Sequence, residues 1–359
     1  MLESTLLISF LASFIVAAVV TPIVIFLMRR FKVLDDPKKR KHPGIIHAYP
    51  IPRGGGIALF LGVFIAAFFF LPINQITIGI FIASFLALLV GVYDDYLNSK
   101  GKDLSPYLRF GMNIVCGLIV VASGVSINFI TNPFGGIINL NEIYLPFVFF
   151  QVSISDLIAI IWIVWIMNML NWSKGVDGQM PGIVGISAIV IGLLSLRVSG
   201  ANIMSIDAVF SFLIAGSAFG FLLYNFYPAK IFPGYGATSI YLLLAVVSIL
   251  SGAKLATAIL VMGVPIADAL FTIIRRVASG KSPFWHDNQH LHHLLLKLGL
   301  TQRQIALCYW IFSAILGSIS LALESKSKLF AIVMVVAITG GALLFLHYLI
   351  RNSHEEKAL

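Results

Sequence analysis

Asp94 and Asp95 stand side by side in GVYDDYLN, where a long apolar run ends. Neighbouring carboxylates at a helix C-terminus repel each other and oppose the helix dipole, so a cation or a proton must compensate them. Holding a metal ion, or serving as a base, gives such a pair a reason to exist; the bland alternative is a solvated helix end. A second group, NMLNWSKGVDGQMPG, places Asn168, Asn171, Lys174 and Asp177 within ten residues. Asn168 and Asn171 are three apart and share a helical face, while Gly175, Gly178 and Pro181 force a turn. A plain turn needs the glycines but not the paired amides, so ligand contact is the favoured reading.

Two glycine-rich stretches read as anion sites. In NFYPAKIFPGYGATS, Gly234 and Gly236 let backbone amides approach a ligand, and the helix that follows offers unpaired N–H groups at its positive end. The run Arg53 to Gly56 opens another helix in the same way. Glycine turns also change chain direction without binding anything. The segment RRVASGKSPFWHDNQHLHHLLLKLG carries His290, His292 and His293. It has no cysteine partner and does not match the H-E-x-x-H zinc pattern. With Arg275, Arg276 and Lys281 nearby, anion recognition fits better than zinc; a basic loop lying against anionic lipid head groups is the alternative. Asp268, beside an expected kink at Pro265, precedes Arg275 by seven residues and is expected to pair with it.

These residues sit between elements of one kind. The chain has 359 residues, of which 59% are hydrophobic and 11% charged, and its mean hydropathy is +0.98. Soluble domains carry about 25% charged residues, so a polytopic membrane protein is expected. Apolar runs at 5–28, 56–73, 76–94, 110–130, 155–171, 181–199, 206–224, 238–253, 255–274, 303–323 and 329–350 predict about eleven transmembrane helices. The fold class is thus an all-α integral membrane protein, a single polytopic domain over 1–359. The first run lacks a basic leader and a cleavage site, and reads as a retained span.

The net charge of +9 suggests nucleic acid in a soluble protein, but here the basic residues lie in short loops. Twenty of the twenty-four Lys and Arg, including Arg29, Arg30, Lys38, Lys39, Arg40 and Lys41, follow runs 1, 3, 5, 7 and 9 or the last run. The other face has Arg197, Lys254, Lys326 and Lys328. The positive-inside rule then puts the N-terminus outside and the C-terminus in the cytoplasm, with every polar constellation above on the cytoplasmic side. The segment 131–154, with NPFGG and an apolar stretch at 145–150, reads as a hairpin or re-entrant element on the outer surface. Cys116 and Cys308 lie in apolar stretches and indicate neither a disulfide framework nor a zinc site.

Together, PIPRGGG, GVYDDYLN, NFYPAKIF, PIADALFTIIRR, SGKSPF and DNQHLHHLL resemble the polyprenyl-phosphate N-acetylhexosamine-1-phosphate transferase family, from about Asp36 to Leu296. PIPRGGG and HLHHLL bring the chain nearer to its N-acetylglucosamine branch than to the phospho-N-acetylmuramoyl-pentapeptide branch. The resemblance implies transfer of a sugar-1-phosphate from a UDP-N-acetylhexosamine to a polyprenyl phosphate at the inner leaflet, releasing UMP, with magnesium. It implies a multi-pass protein of a bacterial or archaeal plasma membrane, in contact with the lipid bilayer and not with nucleic acid, and leaves a homodimer open. Asp94 and Asp95 match the family's aspartate pair, and Asn171 and Asp177 its N-x-x-D-G-x-D-G loop. Asn225 and Lys230 match the segment before the glycine turn; His290, His292 and His293 match the histidine motif, with Arg276 before it. His47 and Arg53 occupy the basic positions leading into the second run.

Two departures bear on the metal. Lys174 stands where the family loop has aspartate, and Tyr235 stands where the F-M-G-D-x-G-S turn has its magnesium-binding aspartate. Asp94, Asp95 and Asp177 remain as candidate ligands, since magnesium is often held by one or two carboxylates together with phosphates and water. Lys174 then joins the catalytic candidates by neutralising part of the diphosphate charge. The departures also motivate a second reading, a catalytically silent member that binds nucleotide-sugar or polyprenyl phosphate. A transporter or channel fits poorly, because the polar groups cluster at one face rather than at the midplane.

Overall fold

The computed structural model describes residues 2–39, 44–132, 135–146, 151–199, 206–251, 255–285 and 287–355. Arg40, Lys41 and Lys254, and part of the 145–150 stretch, lie outside the described residues. The protein is an all-helical membrane protein whose few strands form three two-stranded antiparallel pairs. In chain order the elements are α1 (Leu2–Arg30), β1 (Leu34–Asp35), β2 (Ile51–Pro52), α2 (Gly55–Phe70), α3 (Gln75–Ser99) and α4 (Pro106–Ala122). Then come β3 (Phe129–Thr131), β4 (Ile137–Asn139), β5 (Tyr144–Pro146), β6 (Gln151–Ser153), α5 (Ile154–Trp172), α6 (Gln179–Ser199) and α7 (Ile206–Asn225). A 3-10 turn, η1 (Tyr235–Ala237), leads into α8 (Thr238–Leu250), α9 (Leu255–Val261), α10 (Gly263–Ala278), α11 (Leu291–Lys297), α12 (Gln302–Ala322) and α13 (Ser325–Glu355).

Each of the eleven apolar runs becomes helix, but they are not alike. Among the described residues, seven helices are long and apolar enough to cross a membrane: α1, α3, α5, α6, α7, α12 and α13. The ninth run is broken into α9 and α10, bent by 83°. The break falls at Met262 and Gly263, not at Pro265 as expected from sequence. Pro265 sits in the first turn of α10, where a missing N–H costs nothing. Three further apolar helices, at Gly55–Phe70, Pro106–Ala122 and Tyr235–Leu250, are shorter than a full span. Within 129–153, β3 pairs antiparallel with β4 and β5 with β6, and the residues of β4 and β5 are exposed.

The core is built around α8. Every residue from Thr238 to Ile249 is buried, and a helix apolar on all sides belongs inside a bundle. It packs against α3, α5, α6 and α7. At about 1.5 Å per residue its thirteen residues are too few for a hydrocarbon core of ~30 Å. One end therefore stops inside the protein, and η1 and the preceding loop fill the space beyond it. Small hydroxyls tie neighbouring helices: Ser13 Oγ donates to the carbonyls of Gly62 (2.9 Å) and Leu213 (2.6 Å), and Ser217 Oγ to Leu59 (2.7 Å). Such bonds, with the small side chains that permit them, replace the hydrophobic drive that lipid removes.

Candidate functional site

The loops after α1, α5, α7 and α10 and the first turn of α4 meet in one cavity of about 250 Å³. Of the residues expected from sequence, His47, Arg53, Asn171, Lys174, Asp177, Asn225, Arg276, His290, His292 and His293 line it. Asp94, Asp95 and Lys230 do not. Lys230 is exposed. The two aspartates are fully buried, at 0% and 1% exposure, and lie behind the cavity wall.

Arginines compensate the aspartate pair. Arg53 Nε donates to Asp95 Oδ1 at 2.8 Å, while its Nη1 meets Asp35 Oδ2 at 2.8 Å. Arg109 Nη1 stands 3.6 Å from Asp94 Oδ2. Asp94 also accepts from Asn98 Nδ2 (2.9 Å) and the Leu104 N–H (3.3 Å). The Arg53 backbone is fixed between β1 and the loop before η1, its N–H donating to Val33 O (3.1 Å) while it bridges to Phe232.

The glycine turns do not form the phosphate cradles expected from sequence. The N–H groups of Tyr235 and Gly236 donate to Asp95 at 2.9 and 3.3 Å, so a protein carboxylate already fills that turn. Gly234 has φ +68°, and a Cβ there would lie 2.1 Å from Asp95 Oδ2. At the start of α2, the N–H groups of Gly55 and Gly56 donate to the carbonyls of Phe232 and Pro233 (2.9 and 2.8 Å). A Cβ on Gly56 would come within 2.1 Å of the Gly236 carbonyl carbon. The glycines thus serve close packing of α2 against η1, and the orphan donors of both helix starts are spent inside the protein.

The α5–α6 loop presents Lys174 to the cavity. Its ammonium donates to Gly234 O at 2.7 Å and lies 5.9 Å from the centre of the Tyr235 ring. Arg109 Cζ is 5.1 Å from the same ring, and Asn113 Nδ2 donates to the Tyr235 hydroxyl at 3.3 Å. Burial, with repulsion from Arg53, pulls the Lys174 ammonium down to about 7 despite the attraction of Asp95 and Asp94. Asp177 Oδ2 accepts from the Ala229 N–H (2.9 Å), and burial raises its carboxyl. Asn225 joins the same two loops, accepting from the Gly178 N–H (3.1 Å) and donating to Ile231 O (2.8 Å). Asn171 Oδ1 is buried without a hydrogen-bond partner among the described residues.

Asp268 organises the histidine segment, correcting the expected pair with Arg275. Its Oδ2 accepts from His290 Nδ1 at 2.9 Å and its Oδ1 from the Leu291 N–H at 2.9 Å. An ionised carboxylate only accepts, so Nδ1 of His290 carries the proton. Nε2 then faces Arg276 Nη2 at 3.4 Å. Arg275 and Arg276 both meet Asp287 Oδ2 at 2.9 Å. Burial would raise the Asp287 carboxyl, but hydrogen bonding and charge from Arg276, with Arg275, hold it well below the usual range. His292 stacks 5.6 Å from His290, and the His293 ring lies tilted against it at 4.3 Å. Burial, with neighbouring imidazoles, lowers His292 well below its ordinary value and His293 to about 4, so both act as neutral imidazoles near pH 7. The α5–α6 loop packs on this segment: a Cβ on Gly175 would fall 1.8 Å from His292 Nε2.

The residues present do not suit the magnesium ion that the resemblance implies. Asp94, Asp95 and Asp177 form no ligand cluster, and no group of three or more His, Cys, Asp or Glu poised for a metal occurs among the described residues. Asp35, Asp94, Asp95 and Asp287 each face an arginine. A dication placed beside Asp177 would meet Lys174, Arg53 and Arg276 in the same cavity.

The sequence reading passed over Arg109, which gives the site a further cation, and Asp35, which shares Arg53. Arg109 is the fourth residue of a helix opened by Pro106, and its position just after the aspartate-bearing helix was the available signal. Phe284 and Trp285 also line the cavity.

Residues 77–252 match the family described as Glycosyl transferase family 4. A probable undecaprenyl-phosphate N-acetylglucosaminyl 1-phosphate transferase of Bacillus subtilis (strain 168) is 28% identical, over 90% of this chain and 86% of its own. A decaprenyl-phosphate N-acetylglucosaminephosphotransferase of Mycobacterium tuberculosis (strain ATCC 25618 / H37Rv) is 31% identical, over 81% of this chain and 76% of its own. A phospho-N-acetylmuramoyl-pentapeptide-transferase of Borrelia hermsii (strain HS1 / DAH) is 27% identical, over 86% and 92%. With the motif-bearing loops gathered round one cavity and relatives matching along most of its length, the chain belongs to Glycosyl transferase family 4.

Proposed function

We propose that the protein transfers N-acetylhexosamine-1-phosphate from a UDP-sugar to a polyprenyl phosphate, releasing UMP, as an initiating step of cell-envelope glycan synthesis. The N-acetylglucosamine named in the relatives makes UDP-N-acetylglucosamine the first donor to test. The observation that carries the reading is the convergence of Arg53, Arg109, Lys174 and Arg276, from four separate segments of the chain, on one cavity among membrane helices.

In the reaction, an oxygen of the lipid phosphate attacks the sugar-bearing phosphorus of the donor. One phosphoric anhydride bond forms, the anhydride bond to UMP breaks, and UMP takes the electron pair. Such transfers ask the protein mainly to position two phosphates and to balance developing charge. Arg53 and Lys174 are assigned to the diphosphate, and His290, His292, His293 and Arg276 to the remaining polar groups of the substrates. His47, Asn171 and Asn225 shape the cavity around them. Asp94 and Asp95 act through Arg109 and Arg53, which they hold in the wall. Asp177 faces the cavity and is the carboxylate nearest in role to a base.

We assign these loops to the cytoplasmic face, with the N-terminus outside and the C-terminus inside, in a multi-pass plasma-membrane protein. The basic bias of the same loops supports that orientation. The arginine pairing of the carboxylates favours one second reading, a silent member that binds substrates without turnover. Incubating the purified protein with undecaprenyl phosphate and UDP-N-acetylglucosamine decides between them. Equal release of UMP and lipid-linked sugar supports transfer; binding without either product supports the silent reading.

A further inference from the structure

The Lys174 ammonium is unusual in its surroundings. It has three donors, and one is spent on the Gly234 carbonyl. It makes no ion pair with a carboxylate among the described residues, although Asp94 and Asp95 lie near enough to act on it through space. Those two aspartates have their oxygens committed to Arg109, Asn98, Arg53 and backbone N–H groups. A recessed ammonium with unspent donors is costly unless an anion arrives to take them. Burial, with repulsion from Arg53, lowers its proton affinity, and the two aspartates only partly offset this.

Tyr235 points the same way. It brings an aromatic ring, with its hydroxyl held by Asn113, to a turn whose amides are already occupied by Asp95. The ring sits between the reaches of two cations, Lys174 and Arg109, at distances that suit cation–π contact. It therefore presents an aromatic face, in place of a carboxylate, to two neighbouring positive groups. A divalent ion would compete with these groups for the same anionic oxygens.

We propose that the site takes the diphosphate of its nucleotide-sugar directly on Lys174, with Arg53 and Arg109 beside it, and needs no divalent cation. The inference rests on the transfer reading above and names how that site supplies charge.

Full-length protein in lipid nanodiscs is titrated calorimetrically with UDP-N-acetylglucosamine, once in EDTA and once in excess magnesium. The expected dissociation constants agree within about twofold. In EDTA, Lys174→Met weakens binding by about tenfold or more, which is roughly 1.4 kcal/mol, and Lys174→Arg retains it within about threefold. Thermal unfolding of Lys174→Met at or above the wild-type midpoint shows that lost binding is not lost fold, because a recessed charge has been removed. Tenfold or greater weakening by EDTA overturns the inference and leaves the transfer reading standing. Unchanged binding by Lys174→Met overturns it too. Absence of nucleotide-sugar binding in both buffers removes the transfer reading, and the inference with it.

Discussion

Asp95 and Arg53, forty-two positions apart in sequence, meet at 2.8 Å behind the cavity wall, and the same carboxylate accepts the N–H groups of Tyr235 and Gly236. One side chain thereby fixes an arginine from the start of α2, the 3-10 turn and the beginning of α8. Asp95 is 1% exposed and Arg53 11%, so removing Arg53 leaves Asp95 buried without its paired cation, while removing Asp95 leaves Arg53 with Asp35 as its remaining partner.

Arg53→Ala should therefore destabilise the protein by about 3–5 kcal/mol, the usual cost of orphaning a buried ionic partner. Asp95→Ala should cost a similar amount, because the Tyr235 and Gly236 N–H groups lose their acceptor although Arg53 keeps Asp35, and the double variant less than the sum of the two. Thermal unfolding of all three in the same detergent checks this. Full additivity would mean that the two side chains stabilise separate parts of the molecule.

Asp268→Asn tests the orientation of His290. The amide still accepts from the Leu291 N–H but no longer fixes the proton on Nδ1. Turnover is expected to fall tenfold or more, with the pH–rate profile altered and KM for the nucleotide-sugar changed by less than about threefold. An unaltered pH profile with a uniform loss of activity would indicate damage to packing instead.

Gly175→Ala places a methyl group against His292 and should cut nucleotide-sugar binding by at least tenfold, because the ring must leave its position. Gly111→Ala, in α4 with nothing within 4 Å of the new Cβ, should leave binding unchanged and raise stability by up to about 1 kcal/mol. Parallel titrations and melts separate the two effects; equal binding by both variants would contradict the proposed contact.

The pH dependence of binding follows from Lys174. Its folded-state value of about 7 lies below the ordinary lysine value, so above pH 7 Lys174 in the free site is increasingly uncharged. Binding a diphosphate then requires proton uptake, and affinity for UDP-N-acetylglucosamine should fall as pH rises, by up to about tenfold per unit well above 7. Below pH 6 the lysine is already charged and the slope from it vanishes. Burial sets this value, with Arg53 and Arg109 lowering it and Asp95 and Asp94 raising it; Tyr235 abuts the ammonium, and the Lys174→Arg variant should abolish the slope. Affinity that stays level between pH 7 and 9 in the wild type argues against ammonium binding.

Lys174→Asp probes the same charge from the opposite side. It brings a carboxylate towards Asp177 and removes the cation, and turnover should fall in both EDTA and magnesium. A large gain in magnesium-dependent turnover would count against a lysine that replaces the ion.

The helices were legible because hydrophobic runs of spanning length dominate the chain, and each expected run is helical. Length within a run was not equally legible. α8 reads like any other span, yet it is a buried thirteen-residue rod, because apolar composition does not distinguish a lipid neighbour from a protein one. The cavity residues in the α5–α6 loop and in the histidine segment stood out by type and spacing. The partners of the carboxylates did not. Asp95 with Arg53, Asp94 with Arg109 and Asp268 with His290 are contacts between separate segments, and local sequence carries no record of which cation arrives. For the same reason Gly234 and Gly236 read as an anion cradle: the turn geometry was right, but the anion it holds belongs to the protein itself.

The central claim is that these loops form one receptacle for a nucleotide-sugar diphosphate facing the lipid phosphate. A cryo-EM structure of the full chain with UDP-N-acetylglucosamine tests it most directly. The account predicts diphosphate oxygens within about 3 Å of Lys174 Nζ and the Arg53 guanidinium, with the sugar directed towards His290 and Arg276. Nucleotide density elsewhere on the protein, or a diphosphate in the cavity with Lys174 turned away from it, would contradict it.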